Sequence, residues 1–207
     1  MNSEEAFKDL KEVKQVLDSL NVRWFLSYGA VLGIVRQKDF IPYDDDIDIT
    51  IVEPLTFKQR KEISWKLQDL GFVPQDEVIF NVQGRFEKPV TGWLGKDVCA
   101  YSGDEKTGII VAKKRVNWSI FFFKEEGDEY IFIPMPGSCP ILSTPKRFYE
   151  KGEWLKFKGE KYLVPSPVKE YLTYTYGDWK TPKENAHAPQ YLTQHDQKEI
   201  FKKYFNE

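Results

Sequence analysis

The sequence predicts a single α+β domain over residues 1–207, a mixed β-sheet flanked by helices, and three observations carry that expectation. Helical periodicity opens the chain, where Phe7, Leu10, Val13, Leu17 and Leu20 recur at steps of three and four. Strict alternation follows in Asp46-Ile47-Asp48-Ile49-Thr50-Ile51, the period of a strand with one buried face. From Val78 to Ile133 the chain then breaks into short β-like runs punctuated by turn residues. At 207 residues it can bury a core without disulfides or a structural metal.

Asn2 with Glu5 supplies a capping box for the first helix, whose polar face (Glu4, Lys8, Lys11, Glu12, Asp18) is solvated. Trp24-Phe25-Leu26 is short and bulky, a buried strand, and Gly29 to Arg36 turns into a short helix. Thr56 to Leu70 forms the next helix, stopped by Gly71. The β-like runs are Val78 to Phe86, Lys96 to Tyr101, Thr107 to Ala112, Arg115 to Phe123 and Glu129 to Ile133. Glu125-Glu126-Gly127-Asp128 makes a hairpin turn between the last two. Trp154 to Phe157 and Lys161 to Val164 form another hairpin around Lys158-Gly159-Glu160. Ser166-Pro167 starts a helix with proline at its first position, and Gly177 ends it. Thr193 with Asp196 caps a last helix that ends near Tyr204.

Composition excludes several classes of function. Thirty Lys and Arg against 32 Asp and Glu leave a net charge of −2, without the basic excess of a nucleic-acid-binding protein. Apolar runs such as Ile120 to Phe123 reach four residues, whereas a membrane span needs roughly 20. The acidic, polar start predicts no leader and a cytoplasmic protein. Cys99 and Cys139 make no disulfide framework, and His187 and His195 have no partner set for zinc.

The chemistry lies in the alternating strand. Period two puts the isoleucines on the core face and both carboxylates, Asp46 and Asp48, on the other, close enough to share divalent ions. Mg²⁺ suits them, with Mn²⁺ as the alternative, because it takes oxygen ligands and borrows others from substrate phosphates. Asp44 and Asp45 make four carboxylates in five residues, a crowding that costs stability unless cations compensate. Upstream, the turn at Tyr28-Gly29-Ala30 opens a helix whose first amides can cradle phosphate. Arg36, at the far end of that helix, can fork onto a phosphate. Turn, arginine and alternate carboxylates in that order describe a nucleotidyltransferase core of the DNA polymerase β type.

Two segments resemble the LicD family, which holds bacterial phosphocholine transferases and is similar to the catalytic domains of fukutin and fukutin-related protein. The first runs from Trp24 to Arg36 and on through Phe40-Ile41-Pro42-Tyr43-Asp44-Asp45-Asp46-Ile47-Asp48-Ile49, within a core motif spanning residues 24–51. The second lies within residues 154–182 and includes Phe157-Lys158-Gly159-Glu160, Tyr171-Leu172 and Tyr176-Gly177-Asp178-Trp179. Ala30 stands where the family often has a hydroxyl, and Tyr43 where it has Trp. The resemblance implies a third acid on a later strand. Asp97 in Asp97-Val98-Cys99-Ala100-Tyr101 is one alignment, and Asn117 to Phe121, which offers no carboxylate, is the other.

What the resemblance implies is transfer of a phospho-alcohol, phosphocholine or similar, from a CDP-activated donor to a hydroxyl of a sugar, glycan or glycolipid acceptor. Asp46 and Asp48 would hold two metal ions, Asp97 would bind metal and help deprotonate the acceptor, Gly29 and Ala30 would cradle phosphates, and Arg36 would stabilise developing charge. Two alternatives stay open: transfer of a nucleotide from an NTP, and a nucleotide-binding regulator without turnover. Trp179 is expected to pack the penultimate helix, and Cys99, Arg85 and Arg115 to have structural or surface roles.

Overall fold

The computed structural model describes residues 1–74, 78–80, 86–89, 109–113, 116–132 and 141–182. Helix α1 (Ser3–Ser19) starts where the Asn2 side chain accepts from the Glu4 and Glu5 amides, and it buries Ala6, Leu10, Val13, Val16 and Leu17. Strand β1 (Trp24–Leu26) is buried throughout, and α2 (Tyr28–Gln37) and β2 (Asp46–Ile51) follow. Helix α3 (Phe57–Asp69) opens on a Thr56–Gln59 capping box and gives way, past Leu70, to Gly71 at φ +87°. Then come β3 (Val73–Pro74), β4 (Val78–Phe80), β5 (Phe86–Pro89), β6 (Ile109–Lys113), β7 (Val116–Phe122), β8 (Lys124–Glu126) and β9 (Glu129–Phe132). Strand β10 (Leu142–Pro145), a 3-10 turn (Lys146–Phe148), β11 (Glu153–Phe157), β12 (Glu160–Val164) and α4 (Val168–Tyr176) complete the described chain.

The central sheet has the order β1-β2-β7-β6-β3. Strand β7 runs parallel to β2 and the other neighbours are antiparallel, so the sheet is mixed, as predicted. Ile47, Ile49 and Ile51 are fully buried, and the β2–β7 register sets Ile47 against Trp118 and Ile49 against Ile120. At about 1.5–3 kcal/mol for each buried side chain, these isoleucines anchor a strand whose other edge is crowded with carboxylates. That other face pairs Asp46 with Asn117, Asp48 with Ser119 and Thr50 with Phe121. Lys113 on β6 ties α1 to the sheet by ion pairs with Asp9 and Glu12. No helix among the described residues is long and apolar enough to cross a membrane.

Several elements differ from the sequence-based expectation. The run from Val78 to Phe86 holds β4 and only the first residue of β5, with which β4 pairs. The run from Arg115 leaves the central sheet at Phe123, and β8 joins a second sheet of order β10-β9-β8. Its two-residue turn, Gly127-Asp128, is the predicted hairpin, with Gly127 at φ +58°. Pro167 caps α4 from outside its first turn. The short strand β10 carries no clear alternation and went unforeseen. Residues 96–101, the last helix, Cys99, Cys139, His187, His195, Arg85 and Arg115 lie outside the described residues.

Gly33 shows how α2 is seated. A Cβ there would stand 2.7 Å from the Asp39 carbonyl oxygen and 3.0 Å from the Ile41 amide nitrogen. Both atoms are backbone and cannot swing aside, so Gly33→Ala is expected to cost about 1–3 kcal/mol. Urea unfolding measures this as a lower midpoint at unchanged slope. An unchanged midpoint would mean the helix is free to slide off the 39–41 loop.

Candidate active site

The site begins with one extra rung on the β1–β2 ladder. The Ser27 amide donates to the Asp48 carbonyl at 3.0 Å, so α2 starts beside the acidic strand. Tyr28 has φ +46°, a conformation that costs a non-glycine residue of order 1–3 kcal/mol. Surrounding groups hold it there. Its amide donates to the Tyr171 hydroxyl at 3.2 Å, and its ring lies 6.1 Å from Phe121 and 6.3 Å from Tyr171, centroid to centroid. Helix α4 thereby clamps the turn that the sequence offers as a candidate phosphate cradle.

The next residue faces an acid directly. A Cβ on Gly29 would stand 2.5 Å from Asp44 Oδ2, so only glycine lets the turn and that carboxylate meet without displacement. The Asp44 amide donates to the Ile41 carbonyl at 3.1 Å, and the Asn117 amide to the Asp45 carbonyl at 2.8 Å. These bonds lock the acidic loop between α2 and β7. Ligand atoms of Asp44, Asp45 and Asp46 lie within 4.8 Å of one another, and Asp48 is half-buried two residues beyond Asp46.

Crowding and burial set the electrostatics. Burial, with a hydrogen bond and charge from Asp46 and the Asp45 charge, pushes the Asp44 carboxyl up to about 7. Burial, then Asp46 and Asp44, push Asp48 well above the usual carboxylate range. Phenols line the same place. Burial and the charges of Asp48, Asp44 and Asp46 raise Tyr176, while Tyr149 is raised by burial and moderated by the hydroxyls of Tyr171, Ser27 and Thr50. An all-oxygen, anion-rich wall of this kind is suited to a hard divalent cation.

Among the predicted residues, the structure sets Gly29 and Asp46 around Asp44, while Asp48 lies outside the Asp44–Asp46 cluster and feels the charges of Asp46 and Asp44. Ala30 is 3% exposed, so its methyl packs inward and only its backbone can serve a ligand. Ser27 makes no side-chain cap, and the Gly29 and Ala30 amides have no acceptor among the described residues, leaving them as donors at the start of α2. Arg36 is half-buried in the last turn of α2. Seven residues from Gly29, it lies on the same side of the helix about 10 Å along the axis. Asp97 lies outside the described residues. The strand beside Asp46 and Asp48 is β7, the alternative segment, which sets Asn117 and Ser119 against them. Trp179 is buried and its Nε1 donates to Thr173 Oγ1 at 3.2 Å, the packing role expected of it.

Sequence reasoning counted Asp44 among the acids without assigning it a role, and it missed the clamp from Tyr171 and the phenol of Tyr176. The signal for both tyrosines was present in the second resembling segment, which carries them in Tyr171-Leu172 and Tyr176-Gly177.

The model of the LicD/FKTN/FKRP nucleotidyltransferase domain matches residues 21–167. Ribitol-5-phosphate transferase FKTN of Macaca fascicularis is 30% identical over 185 residues, covering 84% of this chain and 34% of that protein. The Homo sapiens protein of the same name is 29% identical with the same coverage. The chain therefore spans about a third of the length of these relatives. Among solved structures, the antibiotic-resistance factor ANT(2'')-Ia aligns with 99% of this chain and 92% of its own at 16% identity and a TM-score of 0.47. The match from residue 21 to 167 takes in the turn, the acids and the strands that hold them, and the chain belongs to the LicD/FKTN/FKRP family of nucleotidyltransferase-fold domains, whose enzymes transfer phosphorus-containing groups.

Proposed function

We propose that the chain moves a phospho-alcohol, ribitol phosphate, phosphocholine or a relative, from a CDP-activated donor to a sugar or glycan hydroxyl. The observation that most supports this is the contact of Gly29 with Asp44, which sets free helix-start amides against a cluster of carboxylates. A diphosphate needs both: amides for its oxygens, and acids that recruit the cation neutralising it. Asp44, Asp46 and Asp48 would hold Mg²⁺ or Mn²⁺, and the bound ion would supply charge neutralisation at the phosphates and polarise the leaving group. Gly29 and Ala30 donate to phosphate oxygens, and Arg36 adds positive charge on the same side of α2. Tyr171 keeps the strained turn aimed, and Tyr43, 72% exposed beside Asp44, offers an aromatic face for a base or sugar ring. Asp97 enters as the acid that takes the acceptor proton, and Asp97→Asn tests it in the same transfer assay.

A second reading, nucleotide binding without turnover, is favoured by Asn117 and Ser119 standing next to the acids in β7. A thermal-shift panel with Mg²⁺ and CDP-ribitol, CDP-choline, CDP-glycerol, CTP, ATP or UTP, followed by an assay for CMP release, separates the readings. A donor at 100 times its Kd is expected to add about 2.7 kcal/mol, a shift of roughly 5–11 °C. One metal-dependent CDP-alcohol shift accompanied by CMP release supports phospho-alcohol transfer. Shifts with NTPs alone move the reaction to nucleotide transfer, and a CDP-alcohol shift without CMP release supports the regulator.

A further inference from the structure

We propose that the outer face of the β11–β12 hairpin, with the cavity beside it, binds the phosphate-bearing sugar chain of an anionic glycan. The ligand class rests on the glycan-acceptor reading above, whereas the surface stands on its own observations. The antiparallel register sets Trp154 against Leu163 and Lys156 against Lys161, so these four side chains share one face, and Phe157, Tyr162 and Val164 turn inward and are buried. Trp154 is 67% exposed. An exposed indole presents a broad apolar face, the shape on which a sugar ring stacks.

Charge points the same way. Lys156 and Lys161 lie directly opposite each other, a like-charge arrangement that destabilises a hairpin. Neither, nor Lys151, has a carboxylate partner among the described residues. The adjoining cavity, about 350 Å³, is lined by Lys14, Asp18, Arg23, Lys151, Trp154 and Lys161, among others. The one acid among the described lining residues is already engaged: Asp18 pairs with Lys14 at 2.5 Å and accepts from Trp24 Nε1 at 3.0 Å. Arg23 braces the wall by donating to the carbonyls of Tyr149, Glu150 and Lys151 at 3.2, 2.9 and 2.9 Å. Lys151 and Lys161 line the cavity with the indole, and Lys156 stands beside them on the open face of the hairpin, an arrangement that fits alternating phosphates and rings better than a flat lipid surface. Trp24 pairs with Ile51, three residues and about 10 Å along β2 from Asp48. The surface is thus separate from the acids and placed to grip a chain several units long.

The test is binding of phosphorylated dextran, unmodified dextran, inorganic polyphosphate and phosphatidylglycerol vesicles to wild type, Trp154→Ala and Lys161→Glu, read by calorimetry. Phosphorylated dextran is expected to bind wild type at least tenfold more tightly than either dextran or polyphosphate. Each variant is expected to lose about tenfold for it. Lys161→Glu is also expected to keep or raise the melting temperature, since it converts the Lys–Lys pair into a Lys–Glu pair. Unchanged affinity in both variants, polyphosphate binding as tight as phosphorylated dextran, or vesicle binding alone would each overturn the proposal. Asp48→Asn is expected to bind the chain as wild type does, so a failed transfer assay leaves this measurement interpretable.

Discussion

Asp48→Asn is expected to lower transfer by about 10²–10³-fold or more, while raising the melting temperature of the metal-free protein. The two effects share one cause. Burial and the neighbouring Asp46 and Asp44 hold the Asp48 carboxyl well above its ordinary range, and the same crowding pushes Asp44 up to about 7. A carboxyl raised by folding binds protons more tightly in the folded than in the unfolded chain. Stability therefore falls as pH rises through the unfolded value near 4 toward the folded one. Below about pH 4 both states are protonated and the penalty vanishes. The advantage of Asp48→Asn over wild type, scanned with a chelator present, is thus expected to grow from pH 4 to pH 8. If Asp48 holds a divalent cation, adding one is expected to reverse the order, because the ion stabilises the chain that binds it. An advantage that stays flat with pH would remove Asp48 from the crowded cluster, and wild-type turnover in the variant would remove it from the chemistry.

Gly29→Ala tests the contact on which the functional reading leans most. The new methyl would overlap Asp44 Oδ2, the end of a short side chain that can rotate away. Folding is then expected to change little, by under about 1 kcal/mol, while the displaced carboxylate no longer stands against the helix-start amides. Transfer is expected to fall by about 10²-fold, the scale on which a 1 Å misplacement costs an enzyme. The metal needed for half-maximal stabilisation rises with it. Comparison with Gly33→Ala isolates the cause. Gly33 meets backbone and should lose stability, whereas Gly29 meets a carboxylate and should lose function. Equal transfer by Gly29→Ala and wild type would show that Asp44 need not stand where it does.

Much of the fold was legible in the chain because short-range periodicity carries it. The alternation of isoleucine and aspartate gave β2 its direction and faces, the Thr56 and Asn2 caps started their helices, and Lys158-Gly159, both at positive φ, turned the last hairpin. The acidic run and the turn before α2 were legible for the same reason, since each lies within one short segment. Less legible were partners distant in sequence. Val78 to Phe86 reads as one run because no local signal separates a strand from a pair of strands, and β7 ends at Phe122 where the chain goes on into β8 and pairs with β9 in a second sheet.

By itself the sequence determined that Asp46 and Asp48 share one face of β2, because side chains alternate along any strand. Only the tertiary structure decided what surrounds them. It seated Asp44 against Gly29, set Asn117 and Ser119 rather than a carboxylate on the adjoining strand, and brought Tyr171 across 143 residues to hold the Tyr28 amide. These are contacts between segments whose separation along the chain says nothing of their distance in space. They arise because burying the isoleucine face and the aromatic residues of α4 leaves one arrangement in which the strained turn, the acids and the clamp meet.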